Sequence, residues 1–411
     1  MLRRTVGVGP LGHTHNMFQF FENLIDPLAQ HDVVRPPQTV KGFILHFLFP
    51  FRYLLALTLV LTGISAVTDL LLYTFLAKIV DWMTVTPAEA FWESHGMALL
   101  GMFAVVAIAR PVFLISSRAL INLAITPGLA NTVRWRNHRY VLRQSLHYFY
   151  GDFAGRISQK VMQTGVALGG MLLNLLDGLW FLLIYLVGVF VLFTQINAQL
   201  LMPVLVWMAA YLWVVVSMVP PVRQRSADVS EATSGLTGRL VDSYTNILSV
   251  KLFAHSDREE RFAAEAVDRL TRSTQFMMRA VLKMTATLSV LNASLIVSMA
   301  GLSIYLWQQG RISVGEIAMV NGLIIRLNQM SGWILRTITA LFESIGTLQN
   351  GIDTISQPNL LPDKPRAGKL DVRRGEVTFD AVSFGYHGQS GSAIDAVSLN
   401  IQPGEKVGLV G

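Results

Sequence analysis

Gly178–Val222 reads GLWFLLIYLVGVFVLFTQINAQLLMPVLVWMAAYLWVVVSMVPPV, 45 residues without one Asp, Glu, Lys, Arg or His. A membrane-crossing helix needs ~20 mostly apolar residues. As one straight helix rising ~1.5 Å per residue, the run would reach ~67 Å, about twice the hydrocarbon core. It must therefore turn, and its polar cluster is Gln195-Ile196-Asn197-Ala198-Gln199. The run holds two spans joined by a tight hairpin.

Working outward, Met284–Gly310 is a second charge-free run, and Ile317–Phe342 follows the polar turn that ends at Glu316. Upstream, Tyr53–Val80 and Met97–Ile125 are separated by Asp81–Gly96. Six spans result, at about 53–80, 97–125, 166–194, 199–219, 284–307 and 317–342, within a transmembrane domain covering 41–345. The composition agrees. Hydrophobic residues make up 52% of the 411 and charged ones 14%, and the mean hydropathy is +0.46, which excludes a disordered chain and argues against a soluble enzyme. There is no cysteine, so disulfides, thiolate metal sites and cysteine nucleophiles are excluded. His13 and His15 form only an i, i+2 pair, which makes no metal site.

Basic residues orient the spans. Five precede Tyr53, six lie in 126–165 and ten in 220–283, whereas the loops on the other side hold Arg311 alone. Both termini are expected in the cytoplasm, with short outer and long inner loops. The net charge of +7 is then topological, and no aromatic-interleaved basic patch points to nucleic acid. Residues 1–40 read as a cytoplasmic tail with an amphipathic helix over Phe18–Leu28 and no signal-peptide core, so the first span must direct insertion. The inner loops keep helical periodicity; Phe262, Ala266, Val267 and Leu270 recur at three and four. They read as long cytoplasmic extensions of the membrane helices.

Ionisable residues inside a bilayer are costly and normally face a cavity or a partner. Asp69, Arg110 and Arg326 sit deep in their spans, and Arg110 precedes Pro111, a kink signal. Two readings stand beside one another: a cavity favouring amphipathic or anionic cargo, and a structural ion pair such as Asp69 with Arg110. Arg118, Asp177 and Arg336 lie near span ends and read as solvated interface positions. Asn292 reads as a packing residue between helices.

After Phe342 the character changes. Residues 346–373 read as a linker, with three prolines in Gln357–Pro365. Gly375–Phe379 reads as a strand that Ala381–Phe384 continues, and Ala396–Ile401 and Lys406–Val410 read as further strands, with a Pro403-Gly404 turn. A unit of 374–411 is too small to bury a core by itself.

Gly404-Glu405-Lys406-Val407-Gly408-Leu409-Val410-Gly411 resembles the strand entering the P-loop of ABC transporter ATPase domains, with Gly411 as the first glycine of G-x-x-x-x-G-K-[ST]. Val377–Tyr386 resembles that family's first strand and adenine-stacking loop. Phe149–Ser158 resembles the first intracellular loop of its exporters, and Asn246–Ala254 with Arg258–Phe262 the second. The likeness spans roughly 41–411 and implies a mainly α membrane protein. Its parts would be a six-helix ABC exporter transmembrane domain with long cytoplasmic extensions, then the first β-strands of an α/β P-loop ATPase domain.

The resemblance further implies ATP-driven export of an amphipathic or lipid-like substrate by alternating access, as one half of a dimeric exporter in a bacterial cytoplasmic (inner) membrane. The partners implied are membrane lipid, a second half-transporter (homodimer or heterodimer) and an amphipathic small-molecule, lipid or peptide cargo. Tyr386 would stack on adenine and Gly411 would approach the phosphates. Tyr150, Gly151, Asp152, Gly155 and Arg156, and Ile247, Val250, Lys251 and Phe253, would form the two coupling segments. ATP and Mg²⁺ would be held only with the remainder of the domain. The phosphate-binding Lys and Ser/Thr are not in these 411 residues, so the chain alone is expected not to hydrolyse ATP. The alternative is an ATP-independent permease whose C-terminal strands bind a partner.

Overall fold

The computed structural model describes residues 15–29, 32–150, 154–253, 256–361, 367–368, 371–372, 374–385 and 392–408. It divides into two units, Met1–Pro358 and Asn359–Gly411.

The first unit opens with α1 (His15–Glu22). This helix stops short of the expected Leu28, because Pro27 cannot continue it and Asp26 Oδ1 instead accepts from the Leu28 N–H at 3.0 Å. In α2 (Val40–Leu48), Thr39 caps the start by accepting from the Gly42 N–H, and Phe43 and Phe47 are buried. A short turn around Pro50 leads into α3 (Arg52–Val85).

The next rod is continuous but not uniform. It runs α4 (Phe91–Ala104), a π-turn over Val105–Ala109, α5 (Arg110–Ala119), a second π-turn over Leu120–Ile125, and α6 (Thr126–Val141). Both π-turns immediately precede a proline pair, Arg110-Pro111 and Thr126-Pro127. A proline ring clashes with the carbonyl four residues back and offers no N–H. Widening the preceding turn by one residue relieves this: the Arg110 N–H reaches Val105 O and the Thr126 N–H reaches Ile121 O. The expected kink at Pro111 thus takes the form of a π-turn.

After α7 (Leu146–Tyr150) come α8 (Ala154–Leu173), a third π-turn over Asn174–Leu179, and α9 (Trp180–Ile196). The chain turns at Asn197, which is extended and accepts from the Gln199 N–H. Then follow α10 (Leu201–Thr245), α11 (Ile247–Leu252), α12 (Ser256–Gln308) and α13 (Val314–Ile355). At 45 and 53 residues, α10 and α12 are ~67 and ~80 Å long, more than twice the hydrocarbon thickness. They pack side by side along their length.

Among the described residues, five stretches are long and apolar enough to cross a membrane: Val40–Val85, Ala88–Val141, Ala154–Ile196, Ala198–Thr245 and Asp257–Gln308. α13 packs among them, with Met319, Val320, Leu323, Ile324 and Leu327 in the same buried core as Tyr185, Trp207 and Leu295. Asn321, Arg326, Asn328 and Gln329 interrupt its apolar stretch. A second core joins Phe43 and Phe47 to Ile121, Leu129 and Leu168. The start of α13 is seated on the end of α3. Asp81 Oδ1 accepts from the Gly315 N–H and its Oδ2 from Ser313 Oγ, both at 2.8 Å. A Cβ on Gly315 would lie 2.0 Å from Ala77 O, so only glycine admits this approach.

The second unit holds one antiparallel pair, β1 (Val377–Phe384) and β2 (Ile394–Ile401), with bulges where Ala381 and Ala396 take positive φ. The Ser398 and Ser383 hydroxyls accept from the two freed alanine N–H groups. The strand expected over Gly375–Phe379 and continued by Ala381–Phe384 is present as one strand, with a bulge at Ala381. The strand expected over Lys406–Val410 is corrected: residues 405–408 are not in a strand, and the rest lies outside the described residues. An inner strand of a parallel sheet needs neighbours on both edges to satisfy its backbone, and a two-stranded hairpin does not supply them.

Candidate functional site: a charged cavity among the membrane helices

Four helical segments each turn one polar stripe toward a common space of about 370 Å³. From α3 come Thr62, Ser65 and Asp69; from α5, Arg110, Leu114, Ser117 and Arg118. The third π-turn and α9 bring Asp177 and Phe181, and α13 brings Arg326, Gln329, Met330 and Trp333. Every set is spaced at three and four residues, the repeat of a single helix face. The volume is in the range of small-molecule sites.

Asp69 sits at the centre of the charge, its side chain 8% exposed. Its Oδ1 accepts a hydrogen bond from Arg110 Nη2 at 2.8 Å. Arg326 Nη2 lies 3.2 Å from Oδ2, close enough to pair by charge. The cavity and the ion pair anticipated as competing readings are therefore one arrangement: Asp69 ties α5 and α13 to α3, and both arginines still line the space.

Arg118 and Asp177, expected at solvated span ends, also reach the cavity: Arg118 Nη1 donates to Asp177 Oδ2 at 2.6 Å on its wall, while the Arg118 side chain stays 51% exposed. The third π-turn, in which the Trp180 N–H reaches back to Leu175 O, carries Asp177. A π-turn adds a residue to one turn and so shifts which side chains face a neighbour. The available signal was the stripe Arg110, Leu114, Ser117, Arg118, which puts Arg118 beside the residues already singled out. The Thr62–Ser117 hydroxyl contact at 2.6 Å completes the polar wall.

Other ionisable and polar residues are accounted for elsewhere. Asn292 accepts from Trp207 Nε1 and donates to Ser331 Oγ inside the core, a packing role as expected. Arg336 is exposed.

Of the coupling residues, Gly151 and Asp152 lie outside the described residues, as do the nucleotide residues Tyr386 and Gly411. Tyr150 ends α7 and is 82% exposed. Gly155 and Arg156 open α8. Ile247, Val250 and Lys251 form α11 and Phe253 follows it, at the far end of the long α10–α12 pair. Leu248, Leu252 and Phe253 are each at least 70% exposed and form an apolar tip. The residues that would cradle the phosphates of ATP and hold Mg²⁺ are not among those described.

These features define a multi-pass membrane protein whose longest helices exceed the thickness of a bilayer and whose helices enclose a charged cavity. The model of the ABC transporter transmembrane region matches residues 55–331. The chain belongs to the ABC transporter family, of which it carries the transmembrane region. An uncharacterized ABC transporter ATP-binding protein of Haemophilus influenzae is 31% identical over 97% of this chain and 64% of its own length. An ATM1-type heavy metal exporter of Novosphingobium aromaticivorans is 29% identical over 91% of this chain and 62% of its own. The structure of a bacterial Atm1-family ABC exporter with ATP bound superposes with a TM-score of 0.66 at 19% identity, covering 85% of this chain and 62% of that one. The fold is that of this exporter type. The chain spans less than two thirds of the length of these relatives.

Proposed function

We propose that this chain is the membrane-spanning part of one half of a dimeric, ATP-driven exporter of anionic or amphipathic, lipid-like molecules. The observation that carries the reading is the cavity. Three arginines and two aspartates line it, leaving one positive charge in excess, beside an apolar wall of Leu114, Phe181, Met330 and Trp333. A site of this kind takes an acidic head and an apolar body together.

The remaining parts follow the same reading. α13 serves as the sixth span, because its buried face packs into the core of the other five and its two arginines face the cavity and the surface. Both termini lie in the cytoplasm of a bacterial inner membrane. Tyr150–Arg156 and Ile247–Phe253 transmit closure of two ATP-binding domains to the helices, and the exposed apolar tip at Leu248, Leu252 and Phe253 supports docking there. Tyr386 stacks on adenine and Gly411 opens the phosphate loop, once the rest of that domain is supplied. One such half encloses only one wall of a transport path, so a second half completes it.

Inside-out vesicles carrying the protein joined to a complete ATP-binding domain should accumulate a fluorescent fatty-acid analogue on addition of ATP. Arg326→Ala should abolish accumulation at normal expression. Accumulation that ignores ATP and follows a proton gradient would overturn this reading in favour of an ATP-independent permease.

A further inference from the structure

The five charged groups of the cavity do not have equal standing. Arg118 and Asp177 form a close hydrogen-bonded pair and cancel. Asp69 accepts its hydrogen bond from Arg110, while Arg326 is held beside it by charge without the alignment of a hydrogen bond. The Arg326 Nε is buried and finds no partner among the described residues. A guanidinium carries five donors in a planar fork suited to an oxyanion. Arg326 lines the cavity with its side chain 35% exposed, and its contact with Asp69 engages one Nη of the guanidinium. Asp69 neutralises one of the two arginines it touches but not both.

We infer that Asp69 is a specificity-determining residue that sets the cavity to accept a single negative charge, with Arg326 as the group that receives it. This deepens the cargo reading above and rests on it. A second negative charge on the ligand would face Asp69 at close range, and like charges there repel. Replacing Asp69 by the isosteric asparagine keeps the shape and frees the second arginine, so the cavity excess rises from one positive charge to two. The preferred ligand should then change from a monoanion to a dianion. Arg118→Gln changes the count in the opposite direction at a different point, by leaving Asp177 uncancelled. Its effect separates a charge count from a local role of Asp69 in holding α3, α5 and α13 together.

The test uses two probes with one ring system: naphthalene-1-sulfonate, a monoanion, and 1-naphthyl phosphate, a dianion at pH 8. Binding to the purified chain in nanodiscs of zwitterionic lipid is measured by equilibrium dialysis against protein-free nanodiscs. The wild type should prefer the sulfonate. Asp69→Asn should shift the sulfonate-to-phosphate ratio toward the phosphate by about tenfold or more, the scale of a close charge contact. Arg118→Gln should weaken both anions, the phosphate more, moving the ratio the other way. The double variant Asp69→Asn, Arg326→Gln restores the wild-type charge count and should restore the wild-type preference with weaker binding. If the wild type binds the sulfonate and neither Asp69→Asn nor Arg118→Gln moves the ratio, the inference is overturned while the cargo reading stands. If the wild type binds neither anion above the nanodisc background, the cargo reading itself falls. Should Asp69→Asn fail to assemble into nanodiscs, Arg118→Gln alone decides, because an unchanged ratio there is incompatible with a charge count.

Discussion

Ion pairs in two regions of this molecule share a chemistry and little else. Along the α10–α12 extensions, Arg269 reaches Glu231 at 3.2 Å and Arg272 reaches Asp268 at 2.7 Å, with all four side chains more than half exposed. In the cavity, Asp69 is 8% exposed and touches two arginines. Water solvates the first set whether or not the pairs form, so pairing changes the free energy little. The second set has lost most of its water, and removing one member strands the others. The extensions use charge to stay soluble. The cavity uses it to fix which helices meet.

The sharpest way to break this comparison is Asp69→Ala. With Arg110 and Arg326 both left without their counter-charge, unfolding in detergent should come ~3 kcal/mol more easily, the low end for a broken buried pair because the arginines are partly exposed. A loss below ~1 kcal/mol would place Asp69 with the surface pairs. Next in size is Asp81→Ala. Here a carboxylate is satisfied by a helix start rather than by arginine, through the Gly315 N–H and Ser313 Oγ. Its removal should cost ~1–2 kcal/mol by the same unfolding measurement, typical of a lost helix cap. It sharpens the comparison by asking whether a backbone partner is worth as much as a cation.

Smaller still is Tyr185→Phe. This side chain is fully buried, and its hydroxyl has no hydrogen-bond partner among the described residues. Deleting it should leave stability unchanged or raise it by up to ~1 kcal/mol, since an unpaired buried hydroxyl costs free energy. A clear loss would reveal a partner such as an ordered water. The smallest effect is expected for Arg269→Ala, below ~0.5 kcal/mol and weaker again at high salt. A loss comparable to that of Asp69→Ala would end the distinction between the two regions.

Much of the architecture was legible because membrane helices announce themselves by length. The charge-free run around Asn197 demands a hairpin, and the periodic inner loops demand helices that continue past the bilayer. Three details were not legible. The π-turns before Pro111 and Pro127 arise from a clash between proline and a carbonyl four residues back, visible only once the helix is known to continue through. The stop of α1 at Glu22 follows from Pro27 and the turn at Asp26, a local signal that the apolar spacing of Phe18–Leu28 outweighed. The strand expected at Lys406–Val410 has the right composition, but composition says nothing about whether neighbouring strands are present to pair with it.

The site divides along the same line. Asp69, Arg110 and Arg326 could be singled out from sequence, because a charge deep in an apolar run is costly and demands a reason. The stripe Arg110, Leu114, Ser117, Arg118 offered a signal for Arg118, whereas Asp177 lies near a span end, where water is an adequate partner, and had none. Run length, charge and periodicity are local properties, and the sequence by itself determined which segments are apolar helices and which charges are buried in them. Which charges share one cavity was decided only by the packing of α3, α5, α9 and α13, with a π-turn resetting the face of one of them. The reason is physical: an ion pair forms across a distance of about 3 Å, and helices far apart in the chain reach that distance only through tertiary contact.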